Sequence, residues 1–380
     1  MRIGIFGGSF DPVHKEHIRF AESAIRCLGL DKIFIMPAHT PPHKAGKILS
    51  SNEARLAMCR LAFQKVEKTE VCDYEIAKGG TSYTYLTCQH FKETYKEAEI
   101  FFLVGTDMLR DFPTWRKPEE ILKNATLAVC GRSDEDGWWE QEQAEFIARF
   151  GKPFARVDYN GTDVSSTKIR VLAGAGMRLT EFLTDEVAEY VEEKGLYAIP
   201  FAKEALALEK EERRAHSLRV AYLAAKRAVS LKMSERAAVT ASLFHDCGKN
   251  LPKDSPLLDG FALKGDWGDV PAPVLHQFTG AYLAEKRFGV TDGEVLNAIR
   301  FHTSGRANMG ELEKLIFLAD MLEEGRDYDG VEDLRKLFWQ GQGLDECLKE
   351  ALFRSISFLK EKKADIYPLT QEAYEFYKNK

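Results

Sequence analysis

Short, mostly unbroken apolar runs alternate with amphipathic stretches through the first half of the chain. The runs are Ile3 to Phe6, Lys32 to Met36, Val71 to Ile76, Ile100 to Val104, Ala125 to Cys130 and Phe154 to Val157. Several show no alternation of apolar and polar positions, as expected for strands covered on both faces. With helical patterns between them, they predict a parallel sheet with crossover helices. The last helix of this half is predicted over Thr184 to Lys194, with a threonine N-cap, an acidic first turn, a closing Gly195, and Pro200 beyond. From Lys203 the pattern is helical almost throughout, with Leu218, Tyr222, Ala225 and Val229 at the spacing of one helix face. The change of character near Tyr197 to Phe201 divides the chain into an α/β domain over 1–198 and an all-α domain over 203–380. Residues after Tyr328 continue the helical pattern without assignable chemistry.

Composition acts mainly by exclusion. A chain of 380 residues exceeds what one core usually organises, which agrees with two domains. The hydrophobic share of 44% and charged share of 29% are those of ordinary globular protein, and a net charge of -6 argues against a nucleic-acid or anionic-membrane surface. No apolar stretch is long enough to span a bilayer, and Met1 runs directly into Ile3 to Phe6, so neither a membrane segment nor a secretory leader is expected. The seven cysteines (Cys27, Cys59, Cys72, Cys88, Cys130, Cys247 and Cys347) are scattered without a CxxC pair. Neither a disulfide framework nor a zinc knuckle is indicated, and a reducing, cytoplasmic setting is expected.

The first strand ends in Gly7-Gly8-Ser9-Phe10-Asp11-Pro12-Val13-His14, and His17 opens the next helix. Paired glycines let backbone N–H groups approach phosphate, and a helix N-terminus favours anions. His14 and His17, three residues apart at this junction, can both point at one phosphoryl group. A solvated helix start with incidental histidines would have the same spacing; the wider context separates the two readings.

Gly7 to His17 resembles the signature of the nucleotidyltransferase family that carries a His-x-x-His element on a Rossmann-like fold. Four further segments narrow the resemblance to nicotinate-nucleotide adenylyltransferases. Pro41-Pro42-His43-Lys44 resembles a phosphate-contacting loop, and Thr81-Ser82-Tyr83-Thr84 a pyridine-nucleotide loop. Gly105-Thr106-Asp107 with Trp115 resembles the segment whose tryptophan stacks on the nicotinate ring, and Ser165-Ser166-Thr167-Lys168-Ile169-Arg170 the ATP-phosphate motif. The resemblance implies ATP and nicotinate mononucleotide as substrates, Mg²⁺ accompanying ATP, and His14, His17 and Lys44 as catalytic groups. It also implies nucleotide contacts from Gly7, Gly8, Ser9, Phe10, His43, Thr84, Gly105, Asp107, Trp115, Arg132, Ser165, Ser166, Thr167 and Arg170. Hydroxyls and backbone donors at a helix start, followed by an arginine, suit a triphosphate. Glu16 departs from the pattern, where glycine is usual, adding bulk and an anion near ATP. His39 and His90 are read as structural or surface residues.

The second half has four histidines, His216, His245, His276 and His302, with Asp246 directly after His245 and Asp320 in an apolar helical stretch. Imidazoles and carboxylates converging from separate helices suit first-row divalent metals. Their order resembles the dinuclear branch of the HD phosphohydrolase superfamily. Arg213-Arg214-Ala215-His216-Ser217, Leu243 to Lys249, His302-Thr303-Ser304-Gly305 and Ala319 to Glu323 with Arg326 resemble symmetrical diadenosine-tetraphosphate hydrolases. Cys247-Gly248 departs from the Tyr-Ala of that subgroup. The resemblance implies two metals, iron or manganese before zinc, bridged by Asp246. His216, His245 and Asp320 would hold one, and His276 and His302 the other, with a dinucleoside polyphosphate as substrate. Lys249 and Arg326 could neutralise phosphate or be solvated surface charges.

Two other readings stay open. One keeps the architecture but changes the adenylyl acceptor or the hydrolysed nucleotide. The other makes the helical half a regulatory or dimerisation module, and a homodimer is compatible with the sequence.

Overall fold

The computed structural model describes residues 1–40, 50–131, 137–162, 164–252, 254–263 and 269–378. The chain folds as two compact units. Unit one is Met1–Ile169 with Leu179–Leu196; unit two is Arg170–Arg178 with Tyr197–Lys380. The division falls inside a helix that the sequence assigns whole to the first half: Val171 and Ala175 pack into the core of the helical unit.

Unit one is built from β1 (Arg2–Gly8), α1 (Lys15–Leu28), β2 (Lys32–Pro37), α2 (Asn52–Phe63), β3 (Thr69–Val71), α3 (Tyr74–Lys78), α4 (Thr84–Thr94), β4 (Glu99–Gly105), α5 (Thr106–Asp111), α6 (Pro118–Asn124), β5 (Thr126–Gly131), α7 (Trp138–Phe150), β6 (Ala155–Asp158), the start of α8 (Ser166–Gly174) and α9 (Asp185–Glu193). The strands form one parallel sheet in the order β3-β2-β1-β4-β5-β6, with Ile5 paired to Phe34 on one side and Phe102 on the other. Ile3, Ile5, Phe34, Phe102, Val104, Leu127 and Val129 are buried, which explains the unbroken apolar runs. Chain order reverses direction between β1 and β4. Loops after the carboxyl ends of these strands therefore diverge and leave a crevice, the usual ligand position in such sheets.

The expected strand at Val71 to Ile76 is corrected. Pairing stops after Ile35↔Val71, and Tyr74–Lys78 is a one-turn helix closed by Gly79 at φ 72°. Cys72, Tyr74 and Ile76 alternate with Asp73 and Glu75 as a strand would, but Asp73 at the N-cap position and Gly79 at the close bound a helical turn instead. The helix at the end of this unit forms as expected, with Thr184 Oγ1 accepting from Val187 N.

Unit two contains α10 (Ala202–Ala207), α11 (Glu211–Ser230), α12 (Glu235–Phe244), α13 (Ala272–Lys286), α14 (Gly293–Arg300), α15 (Glu311–Leu322), α16 (Val331–Trp339), α17 (Asp345–Glu361) and α18 (Pro368–Tyr377). The buried face of α11 is His216, Ser217, Val220, Ala221, Ala224, Ala225 and Ala228, together with Arg227. Of the stripe Leu218, Tyr222, Ala225 and Val229, only Ala225 is fully buried. Alanines permit close helix approach, and that approach outweighs the larger side chains in choosing the face.

Candidate functional site

Unit one gathers most of its predicted site residues at the carboxyl ends of the sheet. Gly7 and Gly8 close β1, Ser9 and Phe10 turn the chain, and His14 occupies the N-cap position of α1. The His14 and His17 rings stack with centroids 3.7 Å apart. His17 Nδ1 accepts from His14 N at 3.1 Å, so its ring proton sits on Nε2. Burial pushes the His14 pKa down to about 4, against the pull of the Glu16 charge, and His14 Nδ1 is enclosed without a hydrogen bond.

Two loops flank the pair. His39 N donates to Ser82 Oγ at 2.9 Å and Ser82 N to Thr40 O at 3.0 Å, joining the end of β2 to the Thr81 to Thr84 loop, with Thr84 opening α4. The Arg116 guanidinium lies 4.5 Å from the Tyr83 ring centre and Lys117 Nζ 4.8 Å from that of Tyr85, so the Trp115 loop faces the same loop. Trp115 is half-buried against Phe102 and Phe112. Gly105 ends β4, and Asp107 is exposed in the first turn of α5. Ser166 Oγ donates to Pro12 O at 3.0 Å, bringing the start of α8 to the β1–α1 turn; Ser165 Oγ accepts from Lys168 N, and Thr167 is half-buried.

Arg170 is placed differently. It belongs to unit two, and its guanidinium is held by both oxygens of Glu235, Nε to Oε1 at 2.6 Å and Nη2 to Oε2 at 2.8 Å. His43, Lys44 and Arg132 lie outside the described residues.

Glu16 is not aimed into the crevice as a bare anion. Its buried carboxylate accepts from Thr162 N at 3.0 Å, Arg19 Nη1 at 2.6 Å and the Tyr159 hydroxyl. Arg55, passed over in the sequence, is fully buried and donates to Ser9 O at 2.8 Å and Ala38 O at 2.7 Å, tying the glycine turn to the end of β2. The signal that could have marked it is its helical spacing with Met58, Cys59 and Ala62, on an otherwise apolar buried face of α2.

Unit two brings all six predicted ligands together from five segments: His216 on α11, His245 and Asp246 just after α12, His276 on α13, His302 just after α14, and Asp320 on α15. The groups His216/His245/Asp246, His245/His302/Asp320 and Asp246/His276/His302 each have donor atoms within 4.8 Å of one another. His216 Nε2 lies 2.9 Å from Asp320 Oδ1, and Asp246 Oδ1 lies 3.3 Å from His276 Nε2 and 3.5 Å from His302 Nε2. Gln277 pins the His302 loop to α13, accepting from Thr303 N and Ser304 N.

The chemistry of this donor set fits metal ions. His245 Nδ1 faces Ser242 O at 2.6 Å and His302 Nδ1 faces Ile299 O at 2.8 Å, so both donate there and leave lone pairs on Nε2. His245 Nε2 is buried without a hydrogen bond, and His302 Nε2 faces His276 Nε2 at 3.1 Å. Lone pairs and carboxylate oxygens converging in a buried space repel unless a cation lies among them. Burial pushes His245 down to about 4 and His276 to about 3, keeping both neutral as ligands must be. Burial works against a charged Asp246, and the Lys249 ammonium 3.2 Å away is among the groups that pull the carboxyl below the usual range.

Cations border the cluster. Arg213 Nη1 lies 2.9 Å and Lys249 Nζ 3.2 Å from Asp246, and Arg326 Nη2 2.6 Å from Asp320, each partly exposed. Glu209 adds a buried carboxyl nearby: Oε2 accepts from Ser217 Oγ at 2.9 Å, Oε1 has no hydrogen bond, and burial pushes its pKa up to about 7.

Residues 5–172 match the cytidylyltransferase-like family model, and residues 213–325 match the HD domain model. The chain is 31% identical to a probable nicotinate-nucleotide adenylyltransferase/Ap4A hydrolase of Mycoplasma genitalium, over 86% of this chain and 88% of the relative. A protein of the same name from Mycoplasma pneumoniae is 30% identical over 86% of this chain and 89% of the relative. Among solved structures, a predicted HD superfamily hydrolase involved in NAD metabolism from Clostridium acetobutylicum is 35% identical, covering 47% of this chain and 94% of that chain with a TM-score of 0.43.

Proposed function

The chain belongs to the family that joins a cytidylyltransferase-like domain to an HD domain, and from that premise we propose that it carries two nucleotide activities. The first makes nicotinate adenine dinucleotide from ATP and nicotinate mononucleotide. The second hydrolyses diadenosine tetraphosphate to two ADP with the help of bound metals.

In the first reaction the 5′-phosphate of nicotinate mononucleotide attacks the α-phosphorus of ATP. One P–O bond forms, the bond to the β-phosphate bridge breaks, and pyrophosphate leaves. The reading is carried by the stacked histidine pair. His17, accepting at Nδ1, keeps its proton on Nε2 for a phosphoryl oxygen, and neutral His14 lies against it. Such donors act where charge grows in the transition state. Amides of the Gly7 to Ser9 turn and the start of α8 suit phosphates, Trp115 offers a flat face to the nicotinate ring, and Mg²⁺ would accompany ATP.

The second reaction is supported by the convergent lone pairs of the histidine and aspartate cluster. His216, His245 and Asp320 would hold one metal, His276 and His302 the other, and Asp246 both; iron or manganese suits this nitrogen and oxygen set. Metals so held supply an activated water and a fixed phosphate. Arg213, Lys249 and Arg326 would carry phosphate charge at the rim.

The test incubates metal-reconstituted protein with diadenosine tetraphosphate and resolves the nucleotides by chromatography. ADP as sole product, lost in Asp246→Ala, supports the symmetrical hydrolase; AMP with ATP, or no turnover, rejects it. In parallel, His17→Ala is expected to abolish dinucleotide formation from ATP and nicotinate mononucleotide while sparing hydrolysis.

A further inference from the structure

We propose that Glu323 is the positioning residue of the metal ligand His216, fixing the ring so that Nε2 is the nitrogen offered to metal. The proposal rests on the metal-site reading above. Asp320 and Glu323 stand one turn apart at the end of α15 and take opposite nitrogens of the same imidazole: Nε2 lies 2.9 Å from Asp320 Oδ1, and Nδ1 lies 3.0 Å from Glu323 Oε1. Two carboxylates of the same helix end thus have different roles. Asp320 belongs to a group of ligand atoms within 4.8 Å of one another; among the described residues Glu323 belongs to none.

Glu323 is also committed elsewhere. It is 1% exposed; Oε2 accepts from Gly325 N at 2.6 Å and from Arg219 Nε, and Oε1 accepts from Arg219 Nη2 at 3.3 Å. Swinging toward a metal would strand a partly buried guanidinium and a backbone N–H. Arg219 follows His216 by three residues on α11, so one helix face delivers both the ligand and the cation that anchors its partner. Room for that guanidinium depends on Gly325, where a Cβ would lie 2.6 Å from Arg219 Nη2. A carboxylate accepting from Nδ1–H selects the tautomer with a free Nε2 lone pair and makes that nitrogen a stronger ligand.

The test titrates Co²⁺ into full-length, chelator-stripped protein, following visible absorption and bound metal by equilibrium dialysis. Glu323→Gln keeps the shape but can turn an amide N–H toward Nδ1, favouring the wrong tautomer. Two equivalents are expected in the unaltered protein. In Glu323→Gln one should weaken about 10–100-fold with a changed absorption band, while the other stays within about threefold. Arg219→Gln should shift the same equivalent in the same direction by less, and it carries the test if Glu323→Gln does not fold by circular dichroism. Unchanged affinity at both equivalents, or equal loss at both, overturns the proposal. Failure of the unaltered protein to bind Co²⁺ would instead overturn the metal-site reading, and this proposal with it.

Discussion

Replacing Arg55 by methionine isolates what a buried cation does for the nucleotide crevice. The guanidinium is fully enclosed and donates to Ser9 O at 2.8 Å, Ala38 O at 2.7 Å, Asn52 Oδ1 at 2.5 Å and Ser50 O at 3.2 Å. Methionine fills the stem but leaves these acceptors without that donor. Three or four such bonds at about 1 kcal/mol net each, partly offset by no longer burying a charge, give a loss of about 3 kcal/mol. At about 2–4 °C per kcal/mol for a domain of this size, calorimetry of the full chain should show the transition of unit one lowered by roughly 6–12 °C. Because Ser9 lies in the turn beside the histidine pair, kcat/KM for dinucleotide synthesis should fall at least about tenfold, a cost near 1.4 kcal/mol. A shift below about 2 °C with unchanged kcat/KM would refute the argument, since the loops would then hold their places without the cation.

Gly248→Ala would place a Cβ against Thr279 Oγ1 and 2.7 Å from Gly280 N, so α13 must move; about 1–3 kcal/mol of stability and part of the bound metal should be lost, and wild-type melting and metal content would refute this. Glu209 is raised from 4.5 to about 7 by burial, so the folded state holds its proton more tightly than the unfolded state. Its contribution is fully present below pH 4.5 and lost as pH rises through 7, by at most about 3 kcal/mol. In chelator-treated protein Glu209→Gln should remove that slope in urea unfolding between pH 5 and pH 8, and parallel curves for the two proteins would reject the assignment. Glu16→Gly releases Thr162 N and Tyr159 from the α1 carboxylate, so KM for ATP should rise about tenfold with kcat little changed; a lower KM would show that the carboxylate obstructs ATP rather than shaping its site.

Local pattern was sufficient for the parallel sheet and the helical second half, because strand burial on two faces and helix periodicity are both written in the order of apolar residues; it did not show that Arg170–Arg178 belongs with the helical unit. It failed at Val71 to Ile76, where four apolar residues in six can be a strand end or a helical turn, and pairing with β2 reaches only as far as Val71. The spacing of Leu218, Tyr222, Ala225 and Val229 marked α11 as a helix but not its most buried face, which is rich in alanines that let helices close.

At the candidate sites the sequence determined which side chains could do chemistry: the His14 and His17 spacing, and an order of histidines and aspartates suited to two metals. It was silent on what supports them. Arg55 reads as a helix arginine, Glu323 as a helix-end acid and Arg219 as a surface cation until the fold sets them beside Ser9 and His216. Arg170 reads as part of a phosphate motif, and its pairing with Glu235, sixty-five residues away, is visible only in the fold. Chain order records residue type and local periodicity; the partner of a buried charge is chosen by where distant backbone segments bring their donors and acceptors, and only the tertiary structure fixes that.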